Sequence, residues 1–276
     1  MKISEVMTRD VISVNVPGRR KKALEIMQKY NVSGLPVVEE KTKRLVGIIT
    51  LDDLLKNPDE EQIGLLMKKC DFTAASDVNI SEISKIFMEQ KTHFLPVVEN
   101  DKLAGVLTVE DIVKRGISKM ESEKYCSEFM KTSVTCAWQG TPLPQILKIM
   151  EYSGSLAVVI LDDGGMPAGV IDSSDLIRYG EIVSETEKTP MSNFTGDDMT
   201  WETKNMLYIG TKKLRLPRGP VKSYISGDIY YVSPSTTVTE CARLMRRHDI
   251  EQLPVLDEKN DLVGIVRDVD VLKILE

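Results

Sequence analysis

Apolar residues recur along this chain in two rhythms. Four stretches carry them at the i, i+3, i+4, i+7 spacing of a helix that turns one face to a core. They are Ala23, Ile26, Met27 and Tyr30; the less regular Ile80, Ile83, Ile86 and Phe87; Leu143, Ile146, Leu147 and Met150; and Val238, Cys241, Ala242 and Met245. Each is followed by a short run too apolar for a half-exposed strand: Gly34-Leu35-Pro36-Val37-Val38, Phe94-Leu95-Pro96-Val97-Val98, Ser155-Leu156-Ala157-Val158-Val159 and Gln252-Leu253-Pro254-Val255-Leu256. A second run opens on glycine and closes on aspartate: Gly47 to Asp53, Gly105 to Asp111, Gly169 to Asp175 and Gly264 to Asp270. β-Rich stretches such as Val11 to Val14 and Ile229 to Val232 precede the helices.

The pattern is therefore one β-α-β-β-α unit written four times, an α/β (α+β) fold. The closing aspartates are 58, 64 and 95 residues apart, so an insertion separates the third copy from the fourth. The units are expected at 1–60, 61–120, 121–180 and 222–276, with a linker arm at 181–221. One unit buries too little surface to stand alone, so the first should pair with the second and the third with the fourth. The arm is acidic in its first half and basic from Lys204 to Lys222. It is expected as a solvated loop, with Leu207-Tyr208-Ile209 as a candidate strand and partner docking as the alternative.

Composition narrows the function. With 42% hydrophobic and 28% charged residues the chain has ordinary globular proportions. A formal charge of −6 argues against a nucleic-acid partner. No apolar run is long enough to cross a bilayer, and residues 1–5 do not begin a signal peptide. Cys70, Cys126, Cys136 and Cys241 form no CxxC pair and read as reduced thiols, which implies a cytoplasmic protein. His93 and His248 have no partners at metal-ligand spacing, and no P-loop, GxGxxG or GxSxG occurs, so a non-enzyme is expected.

The opening Val6-Met7-Thr8-x-Asp10-Val11, the Leu-Pro-Val-Val strand and the Gly-x-x-Thr-x-x-Asp segment resemble a cystathionine-β-synthase (CBS) repeat. The resemblance covers nearly all of the chain except the insertion. It implies two Bateman modules forming a disc, similar to the γ subunit of AMP-activated protein kinase and to archaeal stand-alone proteins. It also implies a non-catalytic regulator that binds AMP, ADP or ATP between repeats, needs no other cofactor and controls a protein partner; a homodimer is an expected assembly. The alternatives are a sensor of S-adenosylmethionine or a related thioether, and an assembly protein with vestigial sites.

Thr50 and Asp53 suit a nucleotide. Amides at a helix start attract anions, a threonine hydroxyl can bond phosphate, and an aspartate can accept both hydroxyls of a ribose. The same spacing also describes a capping box, in which the two residues satisfy their own helix, and both roles stay open. Carried over from the family, the repeat-one site comprises Thr8, Ser13, Val32, Ser33, Gly34, Thr50 and Asp53, with His93 from repeat two as either a ligand contact or an interface residue. Repeat two offers Thr108 and Asp111, with Lys68 nearby. Repeat three has Asp172 where the threonine should stand, beside Asp175, which suits a neutral or cationic ligand or none. Repeat four has Arg267, able to pair with phosphate, and Asp270 for ribose.

Overall fold

The computed structural model describes residues 1–30, 32–57, 59–90, 92, 94–155, 157–190, 206–225 and 228–276. Repeat one contains β1 (Val14–Val16), α1 (Arg20–Tyr30), β2 (Gly34–Glu39), β3 (Leu45–Thr50) and α2 (Leu51–Lys56). β1 runs parallel to β2, and β3 returns antiparallel to it. Repeat two contains α3 (Ile80–Gln90), β4 (Phe94–Glu99), β5 (Lys102–Thr108) and α4 (Val109–Asp111), which continues into a wider turn at Ile112–Gly116. Repeat three contains β6 (Cys136–Trp138), α5 (Leu143–Ser153), β7 (Ala157–Leu161), β8 (Pro167–Asp172) and α6 (Ser173–Tyr179). After β9 (Glu181–Pro190) and β10 (Met206–Arg215), repeat four contains α7 (Val238–His248), β11 (Gln252–Leu256), β12 (Leu262–Arg267) and α8 (Asp268–Val271).

The helical stripes lie largely where the spacing put them. All four apolar positions named on α7 are buried, and so are Leu143, Ile146 and Met150 on α5. On α1 the stripe is turned slightly, so that Leu24 is buried and Tyr30 is 46% exposed.

Two expectations need correction. In repeats two and four the leading strand shrinks to a single parallel bridge, Ala74 to Val97 and Val232 to Val255. Ile229 to Tyr231 form no strand, and the Tyr230 ring stacks on His248 with centroids 3.6 Å apart. The insertion, expected as a solvated loop, is in its described part an antiparallel ribbon of β9 and β10. Its register sets Glu181 opposite Arg215 and Glu187 opposite Ile209, and both strands are rich in strand formers. The acidic residues Asp197, Asp198 and Glu202 lie outside the described residues.

The repeats are paired by an exchange. Each begins with one helical turn that packs on its partner. Ile3, Val6 and Met7 share the core of repeat two, whereas Ile63 and Leu66 complete the core of repeat one. Cys126 and Phe129 lie with repeat four, and Val221 with repeat three. After the turn the chain runs along the partner's glycine-bearing strand, where Thr8 bridges Val106, Lys68 bridges Ile48 and Lys131 bridges Ile265. The glycines make the room. A Cβ on Gly47 would stand 2.5 Å from the Lys68 carbonyl oxygen, and one on Gly264 2.9 Å from that of Lys131. Burying one aliphatic side chain is worth about 1.5–3 kcal/mol, so a repeat without its partner's turn loses several such contributions.

The two modules join through repeats two and four, whose apolar residues form one continuous core. At this contact Arg243 Nε donates to the Ser118 carbonyl at 3.2 Å, and Lys114 bonds Glu110 and Asp249 at 2.6 Å each.

Candidate functional site

The end of β3 brings Thr50 and Asp53 together as the capping box allows. The Thr50 amide and hydroxyl donate to Asp53 Oδ2 at 3.0 and 2.6 Å, and the Asp53 amide donates back to Thr50 Oγ1 at 3.2 Å. The other carboxylate oxygen receives Lys68 Nζ at 2.5 Å. The Asp53 side chain is 4% exposed and that of Lys68 is 65% exposed. Burial alone would raise the Asp53 pKa, but hydrogen bonds from Lys68 and Thr50 outweigh it and hold the group below its ordinary value. The carboxylate is thus charged, with an ammonium at its solvent side. α2 has only six residues, so any hold on an anion rests on these side chains more than on a helix dipole.

The remaining repeat-one residues lie around this pair. The Ser33 carbonyl accepts the Leu51 amide at 2.8 Å. Gly34 is paired with Thr50 across the strands, and a Cβ there would meet the Phe94 ring of repeat two at 2.5 Å. Val32 packs against the repeat-one core, and Ser13 is half-buried just ahead of β1. His93 lies outside the described residues.

Two residues change places relative to expectation. Thr8, assigned to repeat one, is in the repeat-two cleft, where its hydroxyl donates to Asp111 Oδ1 at 3.2 Å. Lys68, assigned to repeat two, is on Asp53. The exchange of leading segments moves both across the module.

In repeat two the Thr108 amide donates to Asp111 Oδ2 at 3.1 Å, and Arg115 Nη1 lies 3.1 Å from Asp111 Oδ1 and 3.1 Å from Thr8 Oγ1. Burial dominates here and pushes the Asp111 pKa up, against the pull of Arg115, Thr108 and Thr8. In repeat three Asp172 and Asp175 exchange amide-to-carboxylate bonds of 3.2 Å. Asp175 is pushed up by burial first and by the Asp172 charge second.

Repeat four departs from expectation. Arg267 does not project toward an incoming phosphate. Its Nε and Nη2 reach Asp270 Oδ2 and Oδ1 at 2.7 and 2.8 Å, so both carboxylate oxygens of Asp270 are engaged by its own repeat. Two acids occupy positions that are neutral in repeat one. Asp268 stands where Leu51 does and Glu251 where Ser33 does, and the Asp268 amide donates to the Glu251 carbonyl at 2.8 Å, as Leu51 does to Ser33. Burial, then neighbouring charge from Asp268, Asp172 and Glu110, lifts Glu251 to about 8. Burial lifts Asp268 to about 7.

Sequence reasoning had passed over Arg115, Glu251 and Asp268. Arg115 had a signal in its i, i+4 spacing from Asp111. The two acids had one in the alignment of the repeats with each other. Among the described residues no three His, Cys, Asp or Glu are placed to hold a metal ion, and no helix is long and apolar enough to cross a membrane.

A scan against protein-family models matches the CBS domain at residues 3–60, 62–118, 126–181 and 221–276. Uncharacterized protein MJ1404 of Methanocaldococcus jannaschii is 24% identical over an alignment that covers 98% of this chain. This chain spans 61% of the length of that relative. Uncharacterized protein MJ1225 of the same organism is 22% identical over 99% of this chain and 97% of its own length. Its crystal structure superposes over all of both chains with a TM-score of 0.73 at 19% identity, a likeness of fold. The crystal structure of an uncharacterized conserved protein from Pyrococcus horikoshii also covers both chains fully, at 27% identity and a TM-score of 0.67.

Proposed function

The chain belongs to the CBS-domain family, and from that premise we propose that it is a non-catalytic regulatory sensor that binds AMP, ADP or ATP, chiefly in the repeat-one cleft, and controls a protein partner through that occupancy. The observation that carries this reading is the Asp53 carboxylate, buried, held charged, and met by the Thr50 hydroxyl and the Lys68 ammonium. Such a carboxylate accepts the paired hydroxyls of a ribose. An ammonium 65% exposed beside it supplies the positive charge that a phosphate needs, a role expected of His93.

Calorimetric titration tests this. Hydrogen bonds to a charged acceptor are worth about 1.5–3 kcal/mol each, so Asp53→Asn should weaken AMP at least tenfold, 1.4 kcal/mol being a factor of ten. Lys68→Met should weaken AMP and leave adenosine nearly unaffected. Wild-type protein that binds no adenine nucleotide would end the proposal.

A second reading attaches to repeat three. The paired carboxyls of Asp172 and Asp175 repel phosphate and favour a positively charged nucleoside, such as the sulfonium of S-adenosylmethionine. Saturation with that ligand at a hundred times its Kd should stabilise the fold by about 2.7 kcal/mol, read as a rise in melting temperature. Asp172→Thr should abolish the rise.

A further inference from the structure

In repeats one and two, threonine stands at the last position of the glycine-bearing strand, and the second oxygen of the closing aspartate is met by Lys68 on Asp53 and by Thr8 and Arg115 on Asp111. In repeat four that position is Arg267. Its guanidinium takes both oxygens of Asp270 in a fork, Nε on Oδ2 at 2.7 Å and Nη2 on Oδ1 at 2.8 Å, with the Arg267 amide adding a bond to Oδ2 at 3.3 Å. The Asp270 side chain is 4% exposed and that of Arg267 is 25% exposed, so the pair is shielded from competing water. Lys273 Nζ lies 4.0 Å from Oδ1 as a further cation on the same carboxylate.

We infer that Arg267 is a built-in occupant of the repeat-four cleft, taking both oxygens of the closing carboxylate where the cations of repeats one and two meet only one, and so turning adenine nucleosides away. This inference rests on the adenine-ligand reading of the repeats. The contrast with repeat one gives it force. Lys68 reaches Asp53 from a separate segment with a single-point ammonium, largely in solvent, which a ligand can displace or share. Arg267 reaches three residues along its own chain with a planar, pre-organised fork. A ribose that displaced it would exchange two charge-assisted bonds for two neutral-donor bonds and leave a guanidinium without its partner. Repeat four thus keeps the scaffold of a binding repeat while its apolar residues join repeat two in the inter-module core.

The test counts bound nucleoside. Arg267→Thr restores the residue found at Thr50 and Thr108, which caps its own helix start in both. Adenosine is the probe, because it carries the ribose hydroxyls without a phosphate that could find other cations. At saturation Arg267→Thr should bind one molar equivalent more than the wild type by isothermal titration. No gain would overturn the inference. Should the variant fail to fold, a crystal structure of the wild type grown with adenosine decides. Arg267 still on Asp270 in an empty cleft supports the inference, and ribose on Asp270 overturns it. Because the count is a difference from wild type, it stands apart from the proposed function, which fails only if the wild type binds no adenine ligand.

Discussion

Replacing Gly47 by alanine tests the exchange of leading segments with one methyl group. A Cβ at Gly47 would lie 2.5 Å from the Lys68 carbonyl oxygen and 3.1 Å from the Met67 sulfur, and Cβ atoms essentially never make contacts below 3.0 Å. The crossing strand must therefore retreat by half an ångström or more. Two ladder bonds hold it, Lys68 N–H to Ile48 at 2.8 Å and Ile48 N–H to Lys68 at 2.9 Å. Overpacking costs about 1–3 kcal/mol, and weakening two backbone bonds adds about 0.5–1.5 kcal/mol each. A destabilisation of about 2–5 kcal/mol lowers the melting temperature by roughly 2–4 °C for each kcal/mol in chains of this size class. Hydrogen exchange at the Lys68 amide should accelerate, and AMP affinity should fall because Lys68 leaves Asp53. Gly64, with nothing within 4 Å of a Cβ, is the control, and Gly64→Ala should melt with the wild type. A Gly47→Ala protein that melted like both would refute the claim that the glycine exists to let its partner's segment pass.

Stability should also depend on pH through the acids of repeat four. Asp268 and Glu251 have folded-state pKa values raised to about 7 and about 8, so the stability they contribute is present below the ordinary carboxylate range and is lost as pH rises through those values. The wild type should melt at falling temperature from pH 6 to pH 9, and Asp268→Asn should flatten that slope; a slope unchanged in the variant would refute the assignment. Asp53 has the opposite sign, its contribution being present at neutral pH and lost as pH falls through its depressed pKa. Finally, buried Arg20 donates to the Asn57 and Leu54 carbonyls at 2.6 and 2.5 Å, closing the last turn of α2. Arg20→Met fills the space but strands both carbonyls, and should cost about 2–4 kcal/mol in urea unfolding; equal midpoints would refute the clamp.

The four units, their helical faces and the Thr-x-x-Asp pairs were legible because each is local. A stripe at helical spacing, a Leu-Pro strand and a residue three positions from its cap are all read along a few residues. What escaped was non-local. Thr8 precedes β1 by six residues, and nothing in that spacing says that its turn packs on repeat two. Gly47, Gly105 and Gly264 announced that something passes close by, without saying that it was the partner's leading segment. The ribbon was missed because pairing joins segments about twenty-five residues apart, a register that neither strand states alone. Arg267 was read as free for phosphate, although the aspartate three residues away was the nearer anion, and proximity along one helix start decided the pairing.

The exchange of leading turns also fixes how the two clefts of the first module can influence each other. Lys68, which sits on Asp53, belongs to the segment that opens repeat two. Thr8, which sits on Asp111, belongs to the segment that opens repeat one. A ligand that draws Lys68 off its carboxylate works on the chain entering the neighbouring core, and a ligand at Asp111 works in return on the chain entering the first. Thermodynamics requires the traffic to be even-handed: whatever factor one occupant imposes on the affinity of the other cleft, the second occupant imposes on the first. In a module laced together in this way, each cleft is closed by the chain that opens the other repeat.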